Sequence, residues 1–120
     1  MSVLIVDDNA RMRETIREVV QHVHPDVHQC ADGASAVTLY DRLHPDWVLM
    51  DVAMDGVNGV EATRRIRASD PNARVVMVTD HDSAAYRRAA REAGACAFVP
   101  KSDLTKLLDV LSENPEEISC

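Results

Sequence analysis

Short apolar runs return along this chain, each followed by a longer stretch whose apolar residues recur at helical spacing. That alternation narrows the folding options more than any other feature. The clearest runs are Val3-Leu4-Ile5-Val6, Trp47-Val48-Leu49-Met50, Val75-Val76-Met77-Val78 and Cys96-Ala97-Phe98-Val99. Each is apolar on both faces, as expected of strands in a parallel sheet covered by helices on two sides. Val27-His28-Gln29-Cys30 is half polar and suits an edge strand. Between the runs the period lengthens. Met12, Ile16, Val19, Val20 and Val23 follow helical spacing, and so do Leu104, Leu107, Leu108 and Leu111. Ala36, Val37, Tyr40 and Leu43 mark a second helix and Val60, Thr63 and Ile66 a third; the stretch from Ser83 to Ala93 is a fourth, with a small-residue face of Ala85, Ala89 and Ala93.

The punctuation agrees. His24-Pro25-Asp26, His44-Pro45-Asp46 and Asp70-Pro71-Asn72 close helices, Gly94 reads as a C-terminal cap, and Ser102 as the N-cap of the last helix. Five strands alternating with five helices make an α/β sandwich with right-handed crossovers. The expected arrangement is the flavodoxin-like (βα)5 order 2-1-3-4-5, by analogy with that doubly wound class. One domain is expected over residues 1–114, with a short acidic tail over 115–120.

Composition excludes several alternatives. With 46% hydrophobic and 28% charged residues, the balance is that of a soluble globular chain rather than a disordered one. Aromatics are only 3%, so the core must be aliphatic and alanine-rich. No apolar run approaches the roughly 20 residues needed to span a bilayer, and no basic segment leads into an apolar one, so no membrane partner and a cytoplasmic location are expected. Cys30, Cys96 and Cys120 are widely spaced and odd in number, which fits reduced thiols better than a disulfide framework or a zinc site. A net charge of −7 argues against direct nucleic-acid binding by this chain.

The polar residues fall in register. The first strand runs into Asp7-Asp8, the third into Asp51, the fourth into Thr79 and the fifth, after Pro100, into Lys101. In a parallel sheet these carboxyl ends share one edge, where ligands bind. Two carboxylates about 5 Å apart repel by roughly 3 kcal/mol at an effective dielectric of 20. Either a proton is shared or a cation neutralises them. Oxygen-only donors suit Mg²⁺, which keeps waters and shares phosphate oxygens. Among imidazoles only His81 falls near this edge. His22, His24 and His28 read as solvated residues around a proline turn.

With these residues in view, the chain resembles the receiver domains of bacterial two-component response regulators, over essentially all of residues 2–113. Asp7-Asp8, Asp51, Thr79, Phe98 and Lys101 carry the resemblance, joined by Met54 to Glu61 (MDGVNGVE) after the third strand. The stretches from Val60 to Arg67 and from Thr79 to Asp82 look more like the branch whose outputs are helix-turn-helix DNA-binding domains. The resemblance implies that Asp51 takes a phosphoryl group from a sensor histidine kinase, a histidine phosphotransfer protein or a small acyl-phosphate donor. It makes the chain a phosphoacceptor, with slow autodephosphorylation at most, rather than an enzyme. It further implies Mg²⁺, or Mn²⁺ in its place, on Asp8, on Asp7 largely through water, on Asp51 and on the main-chain carbonyl of Ala53. Lys101 would pair with a phosphoryl oxygen and the Thr79 hydroxyl would bind it once its loop moves inward. Thr79 and Phe98 would form the switch. The readout surface would be the fourth helix, fifth strand and fifth helix, displaying Tyr86, Arg87, Arg88, Arg91 and Lys106 to an output domain or protein, or to a second copy in a phosphorylated homodimer.

Plainer readings stand beside these. Asp7 and Asp8 could cap a helix, Thr79 could cap the fourth helix, Lys101 could be a surface lysine, Phe98 simple core, and the arginine stripe a solvated face. Three departures bear on the family reading: Asp55 stands where the family usually has proline, Asp80 follows Thr79 where small residues are common, and Val99-Pro100-Lys101-Ser102 lacks the usual Lys-Pro bond. Asp55 and Asp80 leave open a pseudo-receiver that works as a phosphorylation-independent binding module. A phosphohydrolase of the haloacid dehalogenase type would carry a second Asp where this chain has Ala53. The chain has neither GxGxxG nor GxxxxGK[ST] to cradle a nucleotide.

Overall fold

The apolar runs become strands and the amphipathic stretches become helices in the computed structural model, which describes residues 2–80 and 83–112. In chain order the elements are β1 (Ser2–Val6), α1 (Ala10–Val20), β2 (Asp26–Cys30), α2 (Gly33–Leu43), β3 (Trp47–Met50), α3 (Gly59–Ser69), β4 (Val75–Val78), α4 (Ala84–Ala93), β5 (Ala97–Val99) and α5 (Thr105–Leu111). All pairings are parallel and the order is β2-β1-β3-β4-β5, as expected. The half-polar β2 lies at an edge, where one side of its ladder faces solvent.

Successive strand residues point to opposite faces, and the core divides accordingly. Leu4, Val6, Val48, Met50, Val75 and Met77 pack under Ala36, Tyr40, Ala62, Ile66 and Ala90 of α2, α3 and α4. Val3, Ile5, Trp47, Leu49, Val76 and Val78 pack under Ile16, Val20, Leu107 and Leu111 of α1 and α5. Fully burying one such aliphatic side chain contributes about 1.5–3 kcal/mol. Trp47 is fully buried, and its indole N–H has no hydrogen-bond acceptor.

Four helices start on a side-chain cap: Asn9, Asp32, Asn58 and Ser83 accept from the N–H of Met12, Ser35, Glu61 and Tyr86. Gly94 ends α4 at φ 107°, the left-handed conformation expected of it. Ser102 does not cap the last helix. It lies in a turn where Asp103 N–H donates to Pro100 O and Lys106 N–H to Asp103 O, and α5 begins only at Thr105 without a side-chain cap.

Several further expectations need correction. On α4 the buried small residues are Ala90 and Ala93, whereas Ala85 is exposed. Val23 and Leu43 are exposed as well. His24 is buried, its Nε2 3.1 Å from Leu111 O, so it joins the ends of α1 and α5 instead of facing water. His28 pairs with Asp26 at 3.1 Å. Cys30 is a free thiol, but Cys96 is disulfide-bonded, against the expectation of reduced thiols. The domain end at 114, the tail 115–120, His81 and Asp82 lie outside the described residues. Among the described residues no helix is long and apolar enough to cross a membrane.

Candidate functional site

The carboxyl ends of β1, β3, β4 and β5 do bring the expected polar side chains to one edge. One carboxylate oxygen each from Asp7, Asp8 and Asp51 lies within 4.8 Å of the others. Asp7 and Asp51 are buried, while Asp8 is exposed. Lys101 reaches in from beyond β5, its Nζ 2.8 Å from Asp7 Oδ2 and 3.3 Å from Asp51 Oδ2, with only 15% of its side chain exposed. A solvated surface lysine is therefore the wrong description. Neither Asp7 nor Asp8 caps α1, since Asn9 does; Thr79 does not cap α4, since Ser83 does.

Local bonds hold the arrangement. Asp7 Oδ1 accepts from Asn9 N–H at 2.9 Å, and Arg13 Nη1 donates to the Asp7 carbonyl at 2.8 Å. Asp51 N–H donates to Val6 O, tying the end of β3 to that of β1. Thr79 is fully buried; its N–H donates to Val99 O and its carbonyl accepts from Lys101 N–H at 3.3 Å, which couples the hydroxyl-bearing and ammonium-bearing strand ends. Burial pushes the Asp51 carboxyl above its ordinary pKa; Lys101 opposes that shift and Asp7 adds to it. Burial works against the Lys101 charge too, but Asp7 and Asp51 outweigh it and hold the ammonium above the usual lysine value.

The centre has unspent acceptor capacity. Asp7 Oδ2 is buried, and its close contact with the ammonium is ionic rather than an aligned hydrogen bond. Hard oxygen donors on converging carboxylates, one of them open to solvent, fit a small divalent cation that keeps part of its water shell. Ala53 stands two residues beyond Asp51, its backbone within hydrogen-bonding reach of that carboxylate. Asp55 and Asp80 are both exposed, and Asp55 lines the same groove as Asp8.

Two contributors carry no sequence signal of charge clustering or strand register. Arg13 sits one helical turn after the Asn9 cap, and its reach back to Asp7 depends on the start of α1. Gly59 opens α3 directly against Asp51: a Cβ there would lie 1.9 Å from the Asp51 carbonyl oxygen. Its position at the first helical residue after the Asn58 cap was the only available hint.

The expected partner surface divides. The Arg87 guanidinium lies 4.7 Å over the ring of Phe98, and Arg87, Arg91 and Phe98 line a shallow depression between α4 and β5. Arg88 and Lys106 are exposed, Lys106 being 3.9 Å from Asp103 Oδ2. Tyr86 is on the other flank of α4, facing α3 with Ala89, so it does not belong to the α4–β5 face. Phe98 is half-buried and packs against the α2–α3–α4 side of the core.

Comparison with known proteins gives this geometry its family. The model of the response regulator receiver domain matches residues 3–112. Protein CcdB of Bacillus subtilis is 39% identical over 92% of this chain and 93% of its own length, and chemotaxis protein CheY of Halobacterium salinarum is 31% identical over the same shares. A LuxR-family two-component response regulator from Aurantimonas superposes with a TM-score of 0.81 at 33% identity, covering 92% of this chain and 84% of that one. The chain belongs to the response regulator receiver domains of two-component systems.

Proposed function

We propose that Asp51 accepts a phosphoryl group and that the fold converts this event into a change at the α4–β5–α5 surface. The observation that carries the reading is the buried triangle of Asp7, Asp51 and Lys101, in which one ammonium spans the cation-binding carboxylate and the nucleophile. Phosphoryl transfer needs positioning and charge neutralisation more than proton transfer. Asp51 supplies the attacking oxygen, and Lys101 is placed to exchange its carboxylate contact for a phosphoryl oxygen. Asp7, Asp8, Asp51 and the Ala53 carbonyl would hold Mg²⁺ or Mn²⁺, which supplies positive charge to the transferring group.

A phosphorylated Asp51 carries roughly −1.5 to −2 charges in place of the carboxylate's single one, and brings three acceptor oxygens beside the Thr79 hydroxyl. The Thr79 backbone is bonded to the ends of β5, so its inward movement is coupled mechanically to the strand that carries Phe98. A sensor histidine kinase or a histidine phosphotransfer protein is the proposed donor, and the cytoplasm the proposed location. Arg87, Arg88, Arg91 and Lys106 would face an output domain, a separate output protein or a second copy. Similarity to transcriptional regulatory protein DegU of Brevibacillus brevis, 33% identical and matched over 44% of its length, supports an output that acts on transcription.

Incubation with acetyl phosphate and Mg²⁺, followed by phosphate-affinity electrophoresis, tests this reading. A retarded band is expected for the unaltered chain and none for Asp51→Asn. Lack of a retarded band with both a small donor and a phosphorylated kinase domain would leave a phosphorylation-independent binding module in its place.

A further inference from the structure

The chain holds three cysteines, and their surroundings differ. Cys30, at the end of β2, is a half-buried free thiol; burial pushes its pKa up to about 11, so it stays protonated at neutral pH. Cys96 is disulfide-bonded. With Cys30 free, the one other sulfur of this kind in the sequence is Cys120, in the segment after α5. Cys96 stands immediately before β5, an edge strand, and is partly exposed. Its N–H donates to Val75 O at 2.8 Å, which fixes its backbone.

Reach and charge both favour that pairing. Leu111 ends α5 against His24, just ahead of β2, so α5 finishes at the sheet edge where the strands begin, the edge that also carries Cys96. The nine residues 112–120 follow. Extended, they cover about 30 Å, against about 15 Å for the three strand spacings from β1 to β5. This segment holds Glu113, Glu116 and Glu117 and no basic side chain. Cys96 itself lines the shallow depression between α4 and β5, about 150 Å³ in volume. Among the described residues, the charged side chains lining it are Arg87 and Arg91. One thiol therefore sits among guanidinium groups, which favour its thiolate, while the other is carried on an acidic strand of chain.

We propose that Cys96 and Cys120 form a redox latch: oxidation joins them and lays the acidic segment 113–119 over the depression of Arg87 and Arg91, closing that part of the α4–β5 face, and reduction releases it. The latch does not depend on Asp51 being the phosphoacceptor. The oxidant is a low-molecular-weight disulfide of the glutathione type. The Cys96 thiolate attacks one of its sulfurs, the S–S bond breaks and one glutathione thiolate leaves. The Cys120 thiolate then attacks the Cys96 sulfur, and the second glutathione leaves as the bond between the two cysteines forms. Two electrons pass from the cysteines to the glutathione disulfide, and the two cysteine protons end on the released thiols. In a compartment where glutathione is kept reduced the pair rests as thiols and the face stays open.

The test equilibrates the full chain with glutathione buffers of graded ratio, then alkylates it under denaturing conditions and weighs it by mass spectrometry. The reduced chain should take an adduct on each of its three cysteines, the oxidised chain one on Cys30 alone, with a peptide linking Cys96 to Cys120. Arg91→Gln should lower the equilibrium constant for closure roughly 1.5- to fivefold, the size of a surface ion pair. Salt at about 0.5 M should lower it similarly in the unaltered chain. Arg88→Gln, exposed on α4 outside the depression, should leave it unchanged. Three adducts at every ratio, or a link through Cys30 or to a second chain, overturns the latch. Equal constants for the unaltered chain and Arg91→Gln, or equal losses in Arg91→Gln and Arg88→Gln, overturn its placement over the depression.

Discussion

Gly59 shapes the acidic centre by what it lacks. Any side chain there meets the Asp51 carbonyl oxygen at 1.9 Å and its carbon at 2.8 Å, both backbone atoms that cannot swing aside. Gly59→Ala must therefore push α3 away from β3 or move Asp51 itself. The expected cost is about 1–3 kcal/mol by urea denaturation, with a loss of phosphoacceptance that outlasts restoration of the fold by osmolyte. The main charged residues of the site were legible because each follows an apolar run, Asp7 and Asp51 directly and Lys101 after a single proline. Gly59 was not, since its role is a contact with main chain eight positions earlier and no pattern of charge or period marks it. Tyr86 was placed on the wrong flank for a related reason. A helix of mostly alanine and arginine has a clear outside, but α4 has neighbours on two sides, and spacing does not say which neighbour takes which residue.

Elements are joined here by side chains as well as by the sheet. The Tyr40 hydroxyl of α2 donates to Asp70 Oδ2 at 2.8 Å, where α3 ends. That bond, with a second from Asn72 N–H, holds the Asp70 carboxyl below the ordinary aspartate value of 3.8. A depressed carboxylate stabilises the fold above its unfolded pKa, and the contribution disappears as pH falls through the folded one. Tyr40→Phe should cost about 0.5–1.5 kcal/mol at pH 7, and the gap should narrow as pH drops below about 4. Denaturation series at several pH values check both signs. Most of the element boundaries could be read from apolar runs and caps. The start of α5 could not: the segment after Pro100 spends its first residues in i→i+3 bonds, so the serine that looked like a cap belongs to a turn. Small residues misled on α4 as well, because alanine is tolerated on either side of a helix and carries little phase information.

The chain holds 20 acidic residues against 13 basic ones, and among the described residues Asp7, Asp8 and Asp51 converge at a single rim. Binding of Mg²⁺ to the folded state alone should raise stability by about 2.7 kcal/mol at a hundred times the dissociation constant. Thermal melts with and without the metal measure this, and Asp8→Ala should remove most of the gain. Without metal, Asp51→Asn should raise the melting temperature at neutral pH. Burial lifts the carboxyl pKa above its unfolded value, so its ionised form works against the native state, and an amide carries no such charge. The sheet order came from analogy with a known class, whereas the meeting of the aspartates followed from the strand assignments alone. His24 escaped because only the closing of α5 over the end of α1 buries it, and that contact joins residues 87 positions apart.

Trp47 begins β3, and Asp51 lies just past its other end, about 13 Å away at roughly 3.3 Å per residue. As the only indole in the chain, it provides all of the tryptophan fluorescence. Its emission will be blue-shifted in the native state, will move to longer wavelength when the sheet melts, and will stay constant while the opposite rim is titrated with ions. A single optical signal thus follows unfolding undistorted by ligand quenching.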